Sequence, residues 1–344
     1  MQHHFELASD NTAGAVPEAL EALIEANAGF VPAYATDAAT ERARRAIASF
    51  FEHDCEVFFH LTGTAANALA FAHLARSFEA VLCHAHAHVV TDECNAPEFF
   101  SGGAKLVTLE AEHGKLAPDA VAKRLAARSD VHSPRIAAVS VTCPTEVGTV
   151  YTLGELAAIA AVTHAAGAAL HLDGARFANA VVALDVAPAE LSWRAGVDVV
   201  SFGATKNGLP FGEALVFFDA ERARGFAARH KQAAQLASKS RFLTAPFAAF
   251  LESGAWRRAA QHANARAAEL AAGARALGLE PAHPVEANAV FLTLGDDAKG
   301  ALAERGWHAY DDVDPAGALR LVCSWQTSPE SVQAFLADLA GVLA

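Results

Sequence analysis

The feature that most constrains this chain is a repeated change of period between Glu56 and Phe218. Short β-branched or aromatic runs alternate there with alanine-rich stretches of helical composition. The runs fall at 56–61, 80–84, 105–108, 136–142, 168–173, 198–202 and 214–218. Helical stretches at 65–76, 118–127 and 153–166 lie between them. Strands that are apolar throughout and separated by helices predict an α/β fold with a mostly parallel, buried sheet. Such sheets carry their sites at the C-terminal ends of the strands. After Leu243 the pattern changes. A helical stretch over 247–277 leads to strands at 289–294 and 319–323 and a helix at 329–343, a smaller α+β domain. The expected division is 13–246 for the large domain, with 1–12 and 247–344 forming the small one.

Bulk properties narrow the function classes. A chain of 344 residues exceeds one typical domain, and 53% hydrophobic with 19% charged residues indicates a folded globular protein. The formal net charge of −13 argues against nucleic-acid binding, which needs a basic face. Five scattered cysteines without a CxxC pair suggest neither a disulfide framework nor a zinc site. The start shows no basic segment followed by an apolar run, and no stretch reaches membrane-spanning length, so a cytoplasmic protein is expected.

Three strand ends carry the chemistry. In Phe58-Phe59-His60-Leu61-Thr62-Gly63-Thr64, an apolar run meets a Thr-Gly-Thr turn and then a helix. The N–H groups at such a helix start, with the Thr64 hydroxyl and the open backbone at Gly63, suit a phosphate, although Gly-Thr turns are also common structural junctions. In His171-Leu172-Asp173-Gly174-Ala175-Arg176, the strand ends in an acid. That acid suits a buried cation and Arg176 suits a carboxylate; a helix cap with a surface arginine is the plain alternative. In Asp198 to Gly208, an apolar strand delivers Lys206 into a glycine-rich turn. Most lysines are solvated, but burial disfavours the charged amine and the free base is the nucleophile. Thr205 adds a hydroxyl beside it.

A phosphate turn, an acid at a strand end and a lysine 33 residues later (206 − 173), in that order on an α/β sheet, resemble the layout of fold type I enzymes dependent on pyridoxal phosphate. Thr-Gly-Thr-x-Ala-Asn, His-Leu-Asp-Gly-Ala-Arg and the lysine turn resemble the threonine aldolase family. The similarity runs from Leu7-Ala8-Ser9-Asp10 to Leu319-Arg320-Leu321.

The resemblance implies the following roles. Lys206 forms the Schiff base with pyridoxal phosphate, and Asp173 faces the ring nitrogen. His88, followed five positions later by Glu93, covers the ring and serves or positions the base for the substrate hydroxyl. Gly63, Thr64, Thr205 and Arg241 are expected around the phosphate, with Lys231 and Lys239 nearby. Ser9, Arg176 and Arg320 are expected on the substrate carboxylate. Tyr34 is placed near a neighbouring subunit's site, which implies a homo-oligomer, a dimer or a tetramer. The implied reaction cleaves L-threonine, L-allo-threonine or a related β-hydroxy-α-amino acid to glycine and an aldehyde. Alternatives on the same scaffold are β-elimination, transamination or a preference for phenylserine. A metal reading of His84, His86 and His88, which would share one face of a strand, is the less favoured rival. Two departures stand out. Ala8 replaces an arginine common in the family, and residues 142–149 lack a histidine that touches the substrate hydroxyl in many members, so the hydroxyl side of the pocket is altered.

Overall fold

The computed structural model describes residues 3–127, 130–313 and 317–344. Met1 and Gln2, part of the start that carried no leader signal, lie outside these. The strands of the main sheet are β1 (Glu56–His60), β2 (Ala80–His84), β3 (Lys105–Leu109), β4 (Ile136–Thr142), β5 (Ala169–Gly174), β6 (Val199–Gly203) and β7 (Glu213–Phe217). Their order is β1-β7-β6-β5-β4-β2-β3. β7 is antiparallel to β1 and β6, and the other pairings are parallel. Every residue of β2, β5, β6 and β7 is buried, as a sheet covered on both faces requires. Each expected strand matches within one residue at either end.

Local signals set the helices between them. Thr62 caps Gly63–Leu74 by accepting the Ala65 N–H. Thr152 and Glu155 cap Leu153–Ala165 reciprocally. The single helix expected over 247–277 is instead two, Arg241–Glu252 and Ala255–Ala276. Gly254 separates them at φ +71°, a left-handed conformation that a helix cannot continue through.

A second, antiparallel sheet joins β8 (Ala289–Thr293), β9 (Tyr310–Val313) and β10 (Ala318–Val322) in the order β8-β10-β9. β9 had no strand signature in the sequence: it is a four-residue edge strand with two aspartates and no apolar run. The Ala255–Ala276 helix serves both cores. Ala255, Trp256 and Ala260 pack into the main one, and Ala267, Leu270 and Ala274 into the other, beside Leu7. We propose that the two sheets mark two domains, with the N-terminal segment joined to the smaller through the Val322 N–H to Leu7 carbonyl bond (2.8 Å). Among the described residues no helix is long and apolar enough to cross a membrane.

One glycine fixes the geometry that matters most. A Cβ on Gly203 would lie 2.5 Å from the Ala175 carbonyl oxygen and 2.6 Å from its Cα. Only glycine lets the ends of β5 and β6 approach this closely, and those ends carry Asp173 and the turn to Lys206.

Candidate active site

The parallel strands deliver their C-terminal ends to a cavity of about 270 Å³. Its lining includes Thr62, Gly63 and Thr64 after β1, His88 and Glu93 after β2, Glu146 after β4, Asp173 on β5, Thr205 and Lys206 after β6, and Glu213 heading β7. Residues nearly 150 positions apart (206 − 62 = 144) thus meet because the sheet order brings their strand ends together.

At one end of the cavity the Gly63–Leu74 helix begins. Its N-terminus carries partial positive charge and N–H donors. Nothing lies within 4 Å of where a Cβ on Gly63 would stand, so the space before this turn is open. The helix also places Asn67, one turn in, at the centre of a hydrogen-bond chain. Asn67 Nδ2 donates to Asp173 Oδ2 at 2.8 Å and to Glu93 Oε1 at 3.0 Å. Glu93 Oε1 in turn takes His88 Nδ1 at 2.9 Å. The other Asp173 oxygen accepts the Ala175 N–H at 3.0 Å. The Glu93 side chain is fully buried. Burial raises its carboxyl above the usual range, against the donors from His88 and Asn67. The Glu93 hydrogen bond raises the His88 imidazole, burial opposes it, and Glu146 adds to the rise. Glu93 therefore fixes the tautomer and tilt of His88, leaving Nε2 for the cavity.

Below Asp173 on the same strand, His171 is buried between Ser140 Oγ and Ser201 Oγ, each at 2.9 Å. Burial pushes this imidazole down to about 4. Lys206 sits in a short 3-10 turn, Thr205–Asn207, and makes no hydrogen bond or ion pair among the described residues. Glu213 ties that turn down by accepting the Ala204 N–H at 2.9 Å. Burial pushes its carboxyl up to about 7, against donors from Thr205 and Ala204 and the nearby Lys206 charge.

Two arginines stand beside the cavity, outside its immediate lining. Arg176 is paired to Asp10 in a two-pronged bridge, Nε to Oδ2 at 2.6 Å and Nη2 to Oδ1 at 2.9 Å. Burial alone would raise the Asp10 carboxyl, but Arg176 more than offsets this and holds it below the ordinary value. Arg320, on β10, has no acid bound to it among the described residues, and its Nε is buried without a partner. It packs over the Tyr310 ring at 4.8 Å. Burial, then the neighbouring Arg176, lowers its pKa. A half-buried guanidinium without an acid is a ready receptor for a carboxylate.

Several expected groupings do not appear within this single chain. Ser9 Oγ caps the Asn11 N–H at 3.2 Å and is not in the cavity lining. Arg241 donates from Nη1 to the carbonyls of Ala28 and Gly29 (3.3 and 3.2 Å) and is not in the cavity lining. Tyr34 is half exposed, stacks with Lys231 at 4.8 Å, and lines a separate cavity of about 310 Å³ with Phe59 and His230. The shared strand face expected for His84, His86 and His88 does not form. β2 ends at His84, and His88 begins the next helical turn. His84 Nε2 lies 3.0 Å from the Ala111 carbonyl, and no metal-binding cluster occurs among the described residues.

Asp10, Asn67, Glu146 and Glu213 had not been singled out from sequence. Two of them had a legible signal, a polar residue inside an apolar element: Asn67 in its buried helix and Glu213 at the head of an apolar strand.

A family model described as beta-eliminating lyase matches residues 6–297. A low specificity L-threonine aldolase of Pseudomonas aeruginosa is 49% identical over 343 residues, 99% of each chain. Another, from a Pseudomonas species, is 48% identical over 339 residues, 98% of each. The structure of a Leishmania major threonine aldolase superposes with a TM-score of 0.90 at 28% identity, covering 98% of this chain and 99% of that one. The seven-stranded mixed sheet with its small antiparallel partner is the fold type I architecture. On this match of model, sequence and structure, the chain belongs to the beta-eliminating lyase family.

Proposed function

We propose that this chain is a pyridoxal phosphate-dependent aldolase. It cleaves L-threonine, L-allo-threonine and related β-hydroxy-α-amino acids to glycine and an aldehyde. The family implies the cofactor, and the donor set fits it. An amine with no partner, Lys206, shares one cavity with an open helix start, the buried Asp173 and the His88 ring. Gly63, Thr64 and Thr205 would hold the phosphate, Asp173 the ring nitrogen and Lys206 the aldehyde carbon. When bound, the cofactor supplies an electron sink at the substrate's Cα.

The carrying observation is Arg320: a half-buried guanidinium with no acid bound to it among the described residues and its Nε buried without a partner, beside a cavity that holds a free lysine. It binds the substrate carboxylate and so fixes which bond at Cα is aligned for cleavage. Arg176, held by Asp10, is a second carboxylate contact, with Ser9 on the same side. His88, oriented by Glu93, takes the proton of the β-hydroxyl at Nε2, directly or through a water it orders. The Asn67 amide keeps Glu93 and Asp173 at fixed positions and so couples the ring cover to the ring anchor.

Arg241 and Tyr34 lie outside their own chain's cavity, near the exposed Phe30 and Val31. We place them at an interface between copies of this chain, in a homo-oligomer of two or four subunits, and the enzyme in the cytoplasm. The test is product analysis of the purified holoenzyme with L-threonine. Glycine and acetaldehyde support the reading; ammonia with a keto acid, or no reaction across a panel of β-hydroxy-α-amino acids, overturns it.

A further inference from the structure

Four carboxylates line the one cavity: Glu93, Glu146, Asp173 and Glu213. Three are committed. Glu93 holds His88 and Asn67, Asp173 holds Asn67 and the Ala175 N–H, and Glu213 holds the Ala204 N–H. Glu146 makes no hydrogen bond or ion pair among the described residues.

Its backbone, by contrast, is tightly held. The Thr145 N–H bonds the Thr149 carbonyl at 2.8 Å, and the Gly148 N–H bonds the Thr145 carbonyl at 2.9 Å. The Thr145 and Thr149 hydroxyls meet at 2.7 Å and both lean on the His113 carbonyl, at 3.2 and 2.6 Å. Gly148, at φ +83°, lies so close to β8 that a Cβ there would be 3.3 Å from Ala289 Cβ. A turn wedged in this way presents the Glu146 side chain from a fixed base. The carboxylate lies near three basic side chains, His88, Arg176 and Arg320, and favours the protonated form of each.

Half-buried at the cavity wall on a held backbone, Glu146 leaves its carboxylate available to a ligand. A carboxylate is an acceptor only, so the ligand atom it selects must carry a proton. With the substrate carboxylate on Arg320, His88 and Glu146 are among the lining groups available to meet the side chain at Cβ. We infer that Glu146 is a specificity-determining residue whose carboxylate accepts a hydrogen bond from the β-hydroxyl of the substrate. This inference rests on the aldolase reading above. It adds that the hydroxyl is read by two groups of this chain, His88 and Glu146, and that the second sets the preference between L-threonine and L-allo-threonine.

The test uses the holoenzyme and its Glu146→Ala and Glu146→Gln variants. Dissociation constants are measured by calorimetry for L-serine, which has the hydroxyl, and L-alanine, which lacks it. A lost charge-assisted hydrogen bond should weaken L-serine binding about 10- to 100-fold in Glu146→Ala. L-Alanine binding should be unchanged, which also shows that the variant is folded. Glu146→Gln, which keeps an acceptor oxygen without the charge, should fall between. The ratio of kcat/KM for L-threonine to that for L-allo-threonine should change in both variants. Equal losses for the two ligands, or no loss for either, would overturn the role of Glu146. A wild-type holoenzyme that releases no glycine and aldehyde would instead defeat the aldolase reading. The serine-to-alanine comparison still decides the hydroxyl contact in that case.

Discussion

On the helix side of the cavity, Asn67, Glu93, His88 and Asp173 hold one another at 2.8–3.0 Å. Across from them, Lys206 and Glu146 find no hydrogen bond among the described residues, and neither does Arg320 beside the cavity. The two arginines repeat the contrast, Arg176 locked onto Asp10 and Arg320 bare. The energetics explain why both kinds are present. Pairing offsets the cost of burying a polar group and fixes its position, whereas a half-buried group without a protein partner keeps its donors or acceptors for a ligand.

Substitutions on the two sides should therefore fail differently. The largest effect is expected on the open side. Lys206→Ala should lose aldehyde release by on the order of 10³-fold or more, with an unchanged circular-dichroism spectrum. Residual turnover near wild type would break the contrast. On the paired side, Arg176→Ala leaves Asp10 as a buried charge without its partner. The cost should be about 3–5 kcal/mol of folding stability, read by urea unfolding. The same pair carries a pH signature. Asp10 has a lowered folded pKa, so its contribution is present above the ordinary value of 3.8 and is lost as pH falls through the lower folded value.

Arg320→Ala should do the reverse of Arg176→Ala. Stability should hold, since the half-buried Arg320 side chain has no ion pair to lose, while kcat/KM falls by about 2–3 kcal/mol, roughly 30- to 150-fold. A loss of stability without a loss of affinity would place Arg320 on the paired side. The smallest effect is expected for Glu93→Gln. The His88 imidazole should move down toward its ordinary value, and with it the pH at which activity rises, as seen in a kcat/KM profile. Because the folded His88 pKa is raised, its share of stability is present at low pH and lost as pH rises through the folded value. An unmoved profile would remove His88 from the proton-transfer step.

The parts of this picture legible in the sequence are those written in local pattern. The strand runs and the lysine after β6 needed only period and burial, and every strand expected was found within one residue. Lys206, Asp173, Gly63, Thr64 and Thr205 line one cavity, and so does His88, which was expected there only from the family resemblance. What was not legible depends on packing between distant segments. Glu93 had no evident role until the Gly63–Leu74 helix placed Asn67 against it. The Asp10–Arg176 bridge spans 166 positions. β9 was missed because an edge strand with two aspartates has no apolar run. Arg241 and Tyr34 show a further limit: both lie outside the cavity lining, and nothing in their local sequence separates them from residues inside it.

On this reading the unpaired Lys206 amine is the cofactor's attachment point. It is tested most directly by incubating the purified chain with pyridoxal phosphate, reducing with borohydride, and mapping the modified peptide by mass spectrometry. A single stoichiometric pyridoxyl modification is expected on Lys206, absent in Lys206→Ala. Modification of Lys231 or Lys239 in its place, or labelling that persists at full yield in Lys206→Ala, would contradict it.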